Sequence, residues 1–195
     1  MDRLLPDLLA DLADLLRTVP PDRFAAPTPC PDYDVEALRH HVLGWLPVFA
    51  AALADPDGAA PRPDPQTHQA PADPDAAAAE VTDAAQRMTK ALDGGVADRP
   101  VQLLGAALPG SAVVGMVLGE VIAHGWDLAR AADRPWNPDP VAVRSALATM
   151  GGMITPEFRG HGKGFGAEVP VPADAAPLDR LLAFTGRDPA WTCDR

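Results

Sequence analysis

Two residue types that bind metal ions lie four positions apart in the segment GEVIAHGWDLARA, at Glu120 and His124. The segment is otherwise largely apolar and predicts a helix, so both side chains project from the same face. An ionised carboxylate on a packed apolar face costs several kcal/mol unless something compensates its charge. A divalent cation held between the two side chains would do so, and the spacing therefore indicates two ligands of a metal site.

A third ligand must come from another element, and histidine is the first residue type to consider. The remaining histidines are His40, His41, His68 and His161. His68 lies in a proline-rich stretch and His161 between glycines, where neither side chain would be held rigidly. The two adjacent histidines lie in a second predicted helix, in which His41 falls on the shoulder of the apolar face and His40 nearly opposite to it. We therefore expect His41 to be the third ligand.

Two histidines and one carboxylate are the donor set of catalytic zinc sites, which keep one position open for water or substrate. The same set also binds iron, so zinc is expected, with nickel or iron as alternatives. Asp127, three residues after His124, either orients that imidazole, acts as a base near the metal, or pairs with Arg130 or Arg134 on the helix surface. From the spacing alone, a glutamate and a histidine that hydrogen-bond each other without a metal are the simpler interpretation.

The elements that must position these residues follow from hydrophobic periodicity. Leucines at positions 4, 5, 8, 9, 12, 15 and 16 predict a first helix that ends before Pro20. Asp34 is expected to cap a second helix that runs to about Ala54, and a long proline-rich loop follows. Asp73 and Pro74 start a third helix, which ends at a pair of glycines.

The second half of the chain predicts the most buried helix and the smaller elements. Ser111 is expected to cap a fourth helix that extends to about Asp133 and is apolar on nearly every face. Two further helices are predicted within NPDPVAVRSALATMGGM and APLDRLLAFTGR, and a small hairpin within VADRPVQLLGAALPG. Gly44 and Pro47 predict a kink in the second helix that opens room one turn beyond His41. These patterns predict an all-α fold, a four-helix bundle with one or two appended helices and a possible short hairpin, in a single domain over residues 1–195.

Composition restricts the kinds of partner. With 16 basic and 27 acidic residues, the chain carries a net charge of -11, which repels nucleic acids and anionic membranes. No uninterrupted apolar stretch of about 18 residues occurs, and acidic residues interrupt the apolar N-terminal segment, so a cytoplasmic protein is expected. Cys30 and Cys193 lie far apart without metal-binding spacing, which favours two reduced thiols over a disulfide.

A resemblance that spans nearly the whole chain is carried by three segments, PTPCPDYDVEALRHHVLGW, GEVIAHGWDLARAADRP and FGAEVPVPADAAPLDRLLAFTGRDPAW. Together they resemble the actinobacterial branch of the DinB-like superfamily that includes mycothiol-dependent maleylpyruvate isomerase. The resemblance implies a DinB-like bundle that binds a divalent metal, usually zinc, through a histidine of the second helix and an E-x-x-x-H pair of the fourth. The matching residues are His41, Glu120 and His124. The family's W-T-V is Y-D-V here, Tyr33 to Val35, which keeps the helix cap.

The resemblance further implies a thiol-using enzyme, either a mycothiol-dependent transferase or an isomerase, that acts on a small electrophile. Asp127 is then the candidate catalytic residue, and Trp126, His161 and Lys163 are candidate substrate contacts. The isomerase carries an additional C-terminal domain that contributes to its active site and has no counterpart in this sequence, so the substrate does not carry over. The alternatives are a metal hydrolase that uses bound water, a non-catalytic metal- or ligand-binding protein, and a purely structural protein without metal; a homodimer is a further possibility.

Overall fold

The computed structural model describes residues 3–160 and 163–193. It confirms an all-α protein with a small two-stranded hairpin. The elements are α1 Leu4–Thr18, α2 Val35–Ala54, α3 Pro74–Asp93, β1 Pro100–Leu103, β2 Ala106–Pro109, α4 Gly110–Ala131, α5 Pro140–Met153 and α6 Pro177–Phe184.

The first four helices enclose the hydrophobic core. Helices α1 and α2 each pack against both α3 and α4, while α5 packs on α4 and α6 on α5. The leucine face of α1 is buried, and most residues of α4 are buried as well. The apolar periodicity of α1 and the nearly uniform apolarity of α4 therefore place these helices as expected, with α4 in the centre of the protein.

The predicted N-terminal caps of α2 and α4 differ in outcome. The carboxylate of Asp34 accepts a hydrogen bond from the backbone of α2, which confirms that cap. The prediction that Ser111 caps α4 is wrong, because the helix already begins at Gly110, directly after β2. The Gly110 N–H donates to the carbonyl of Arg99 at 2.7 Å, and a Cβ at this position would lie 2.0 Å from the carbonyl oxygen of Val96. The backbone carbonyl of Arg99, just before the hairpin, thus takes the place of a side-chain cap.

The proline-rich segment 55–73 is an ordered strap along α2. Arg39, which is 2% exposed, donates through its guanidinium to the carbonyl of Pro71. One residue further along the helix, Nδ1 of His40 accepts a hydrogen bond of 2.7 Å from the backbone N–H of Ala70. The polar groups on this side of α2 therefore hold the loop, which explains why His40 points away from the apolar face.

The same strap fills the room that was expected beyond His41. Helix α2 continues through Pro47 to Ala54. A Cβ at Gly44 would lie 2.5 Å from the carbonyl oxygen of Pro65. The absence of a side chain at Gly44 therefore lets the backbone of the strap approach the helix, and the space beside the glycine is occupied.

Glycines on α4 bring α5 unusually close. A Cβ at Gly115 would lie 2.1 Å from Oγ1 of Thr149, and one at Gly119 would lie 2.4 Å from Cε of Met150. Such distances do not occur between real atoms, so Gly115, which faces the short Thr149 side chain, requires glycine at the observed separation of the helices, whereas a Cβ at Gly119 would have to displace the flexible end of Met150. The close approach places the Met150 side chain beside the residues of α4 that include Glu120.

The hairpin has an unusual residue at its tip. Leu103 pairs with Ala106, which leaves Leu104 and Gly105 as a two-residue turn with φ values of 52° and 81°. Both values are positive, as in a type I′ turn. Leu104 is also 71% exposed.

By length and composition alone, α2 and α4 would also be apolar enough to cross a membrane. Most of each helix is buried inside the protein, however, as is usual for core helices of soluble proteins. Their apolar character is therefore explained by the bundle core.

Candidate metal centre

The structure brings together the three side chains of the sequence hypothesis. His41 projects from α2, and Glu120 and His124 project from successive turns of α4. One potential ligand atom from each residue lies within 4.8 Å of the other two. Nε2 of His41 is 2.8 Å and Nε2 of His124 is 3.5 Å from Oε1 of Glu120.

Asp127 orients His124 from the side opposite Glu120. Its Oδ2 lies 3.0 Å from Nδ1 of His124, and the carboxylate is fully buried. Because a carboxylate only accepts hydrogen bonds, this contact places the imidazole proton on Nδ1 and leaves the lone pair of Nε2 facing Glu120. Of the three alternatives for Asp127, the geometry matches orientation of the imidazole, since the carboxylate contacts neither Arg130 nor solvent.

Arg187 holds Asp127 in turn, from the segment that follows α6. Its Nη2 and Nε donate to Oδ2 of Asp127 at 3.0 and 3.3 Å. Burial raises the pKa of Asp127, but the adjacent guanidinium and His124 lower it by a larger amount. The pKa of Asp127 therefore lies below its usual range. Nothing in the local sequence around Arg187 indicated this contact, because the two residues are 60 positions apart.

Tyr33 makes the equivalent contact to His41. Its hydroxyl oxygen lies 3.1 Å from Nδ1 of the imidazole, and the two ring centroids are 5.0 Å apart. Nε2 of His41 lies at hydrogen-bonding distance from Glu120, so it donates its proton to the carboxylate, and Nδ1 accepts from the tyrosine hydroxyl. With a metal bound at Nε2, the proton would instead lie on Nδ1 and the hydroxyl would accept it. The sequence interpretation of Y-D-V considered only the helix cap, and it missed the contact that the tyrosine makes with a candidate ligand.

The donor set fits a divalent cation. With the His124 proton on Nδ1, its Nε2 and Oε1 of Glu120 are two acceptors that face each other without a hydrogen between them. Burial raises the pKa of Glu120, but His124, His41 and Arg187 lower it by a larger amount, to about 2. The carboxylate is therefore ionised at neutral pH. Two imidazole nitrogens and one carboxylate oxygen suit zinc, iron or nickel, and a cation among them would satisfy all three.

A cavity of about 380 Å³ opens beside the cluster. All three candidate ligands line it, together with the polar or charged side chains of Cys30, Tyr33, Lys163 and Arg187. Its apolar lining consists mainly of Trp45, Phe49, Leu104, Met116, Met150 and Phe165. The volume is within the range of small-molecule sites, which are commonly apolar with a few convergent polar groups.

The other candidate residues have different positions. Lys163 lines the cavity, whereas His161 lies outside the described residues. Trp126, expected as a substrate contact, is 6% exposed, packs beneath the Arg130 guanidinium at 5.7 Å and does not line the cavity. His68 lies 2.9 Å from Glu80 of α3, away from the cluster.

Comparison with known proteins identifies the family of the chain. Residues 5–129 match the family described as mycothiol maleylpyruvate isomerase N-terminal domain, a stretch that covers all three candidate ligands. Two proteins from different strains of Mycobacterium tuberculosis, the uncharacterized proteins MT0763 and Rv0738, are each 34% identical over 177 residues, or 90% of this chain and 91% of theirs. No solved structure matches the chain significantly. The match over most of its length and the similarity of these relatives show that the chain belongs to the DinB-like mycothiol maleylpyruvate isomerase N-terminal domain family.

Proposed function

We propose that this protein is a metal-dependent, thiol-using enzyme that transfers a thiol such as mycothiol to a small electrophile or isomerises an electrophile by adding and releasing the thiol. The observation that carries the proposal is the convergence of His41, Glu120 and His124 at the wall of a cavity large enough for a small molecule. The family supplies mycothiol as the thiol class. Zinc is the expected metal, with nickel or iron as alternatives, and the cytoplasm is the expected location.

When bound, the metal would hold the thiol as a thiolate and so supply the nucleophile. The chain's own residues then position the reactants. Asp127 and Tyr33 hold the two imidazoles at their Nδ1 atoms, so that both Nε2 atoms face the centre, where they would bind the metal. Lys163, which lines the cavity, is the candidate contact for negative charge on the substrate or on the forming product.

Asp127 acts in this proposal as a positioning residue, because its carboxylate is fully buried behind His124 and does not line the cavity. A base that takes a proton from substrate must reach that proton within hydrogen-bonding distance. Its contact with Nδ1 of His124 instead gives it control over which imidazole nitrogen carries the proton.

Metal analysis of two matched variants tests the ligand set. We expect one divalent metal per chain in the purified protein, a sharp loss of metal in His41→Ala and normal metal content in His40→Ala. The two histidines are adjacent, but Nδ1 of His40 already binds the backbone of the strap. No stoichiometric metal in the wild type, or loss of metal in His40→Ala but not in His41→Ala, would contradict the proposed site.

A conjugation assay tests the reaction class. The metal-loaded protein is incubated with a panel of small electrophiles, with and without mycothiol, and consumption of the electrophile is followed by mass spectrometry. Turnover that requires the thiol and is lost in His41→Ala supports the proposal. Equal turnover without thiol indicates a hydrolase that uses bound water, and binding without turnover indicates a ligand-binding protein.

A further inference from the structure

Leu104 combines two features that are individually unfavourable. It occupies the first position of a two-residue hairpin turn at φ 52°, where asparagine or glycine is preferred because a larger L side chain is strained. It also exposes 71% of its surface to solvent, the largest exposure among the big apolar residues of the described chain. Strain of this kind persists mainly where a residue serves a function other than stability.

The position of Leu104 relates it to the candidate metal centre. It lines the same cavity as His41, Glu120 and His124. The turn that carries it approaches the C-terminal end of α2, where the backbone N–H of Gln102 in β1 donates to the carbonyl of Pro56 at 2.8 Å. Leu104 therefore lies at the end of the cavity formed by the hairpin and the end of α2.

The cavity is polar at the end that holds the candidate ligands and apolar at the end that holds Leu104. Along α2, the rings of His41 and Trp45 are 6.4 Å apart and those of Trp45 and Phe49 are 5.7 Å apart, so two aromatic rings lead from the cluster towards the hairpin. On α4, Met116 lies one turn before Glu120, on the side where the helix emerges from β2. The apolar residues thus form one end of the cavity, and the candidate ligands form the other.

We propose that Leu104 is a specificity residue that covers the apolar end of the cavity and contacts an aryl or alkyl group of the substrate or of its thiol partner. The inference rests on the proposed function in one respect, namely that the reacting atom of that molecule lies at the candidate metal centre. The rings of Trp45 and Phe49 line this end of the cavity together with Leu104, which suits an apolar group of the bound molecule. Contact with such a group would cover the exposed leucine, which explains why an apolar residue occupies a strained turn position.

The first experiment uses Leu104→Asn in the metal-free, full-length protein and the neutral dye Nile red as the probe. Asparagine suits the positive φ, so we expect the Tm to rise by about 2–4 °C. Loss of the apolar contact should weaken dye binding about three- to tenfold. Val141→Asn is the matched control, because Val141 is also apolar and 51% exposed but lies on α5 and does not line the cavity; it should leave dye affinity unchanged.

Unchanged dye affinity in Leu104→Asn would overturn the inference. A wild-type dimer that becomes monomeric in Leu104→Asn would also overturn it, because Leu104 would then be covered by a second copy of the chain. Light scattering on the same samples measures the oligomeric state.

The second experiment separates this inference from the proposed function. Cobalt-loaded protein is titrated with benzyl mercaptan, and binding is followed through the thiolate-to-cobalt absorption band. Weaker binding in Leu104→Asn than in the wild type supports both proposals. A normal band with equal affinity in the two proteins overturns the role of Leu104 alone, whereas weakened dye binding without any thiolate band overturns the proposed function and leaves the apolar end in place.

Discussion

Replacing Arg187 by methionine should destabilise the protein strongly, because it leaves a buried carboxylate without its cation. Asp127 is fully buried, and the Arg187 side chain is 7% exposed. The guanidinium contacts Oδ2 of the carboxylate through Nε and Nη2, and Oδ1 has no hydrogen-bond partner within the described part of the chain. In Arg187→Met, the N–H of His124 is the remaining donor to Asp127.

The expected loss is about 3–5 kcal/mol in the free energy of unfolding, the usual effect of removing one partner of a buried ion pair. For a domain of this size, the corresponding decrease in Tm is roughly 6–20 °C. The measurement is urea unfolding of the metal-free protein, followed by circular dichroism and tryptophan fluorescence. Metal-free protein is needed because a metal that binds the folded state would add its own stabilisation.

Two further variants show whether the effect has the stated cause. Combining Arg187→Met with Asp127→Asn removes both charges, and we expect it to recover at least half of the lost stability. Arg17→Met is the control, because Arg17 pairs with Asp14 at 2.6 Å but on the surface, with 44% of its side chain exposed; its loss should cost about 0–1 kcal/mol. An Arg187→Met variant as stable as Arg17→Met, or a double variant no more stable than Arg187→Met, would refute the reasoning.

Three other predictions concern single positions. Burial raises the pKa of the Cys30 thiol more than Arg187 lowers it. In a Cys193→Ser background, alkylation of Cys30 by iodoacetamide should therefore be slower at neutral pH than alkylation of free cysteine, and its rate should increase with pH; rapid alkylation at neutral pH would contradict this. Tyr33→Phe, which removes the hydroxyl 3.1 Å from Nδ1 of His41, should weaken metal affinity about tenfold in a competition titration while leaving the metal-free Tm nearly unchanged. Gly115→Ala should lower the free energy of unfolding by about 1–3 kcal/mol, because its Cβ would overlap α5. The control Gly151→Ala, whose Cβ would have nothing within 4 Å, should raise it by up to about 1 kcal/mol; similar effects at both positions would argue against the close packing of α4 and α5.

The helices could be predicted because their signals are local. The leucine period of α1 and the carboxylate cap at Asp34 both act within a few residues. Helical spacing likewise placed Glu120 and His124 on one face, and helical phase separated His41 from His40. The resulting cluster depends on the packing of α2 against α4, which the apolar faces of the two helices already imply.

Features that depend on distant segments could not be predicted in the same way. The carbonyl that replaces a side-chain cap at the start of α4 belongs to Arg99, before the hairpin, so Ser111 looked like the best local cap. The partners of Asp127 and His41 come from Arg187 and Tyr33, whose own neighbourhoods give no sign of those contacts. Because α4 is apolar on nearly every face, periodicity also could not show that Trp126 faces away from the cavity.

The dependence of Asp127 on Arg187 sets an order of events during synthesis on the ribosome. The two residues are 60 positions apart, and at the usual speed of translation the arginine is added roughly 3–12 s after the aspartate. Until then, the nascent bundle carries a negative charge without its arginine counterion near the C-terminal end of α4. We therefore expect compaction around α4 to be completed only after the segment beyond α6 has left the exit tunnel and folded back.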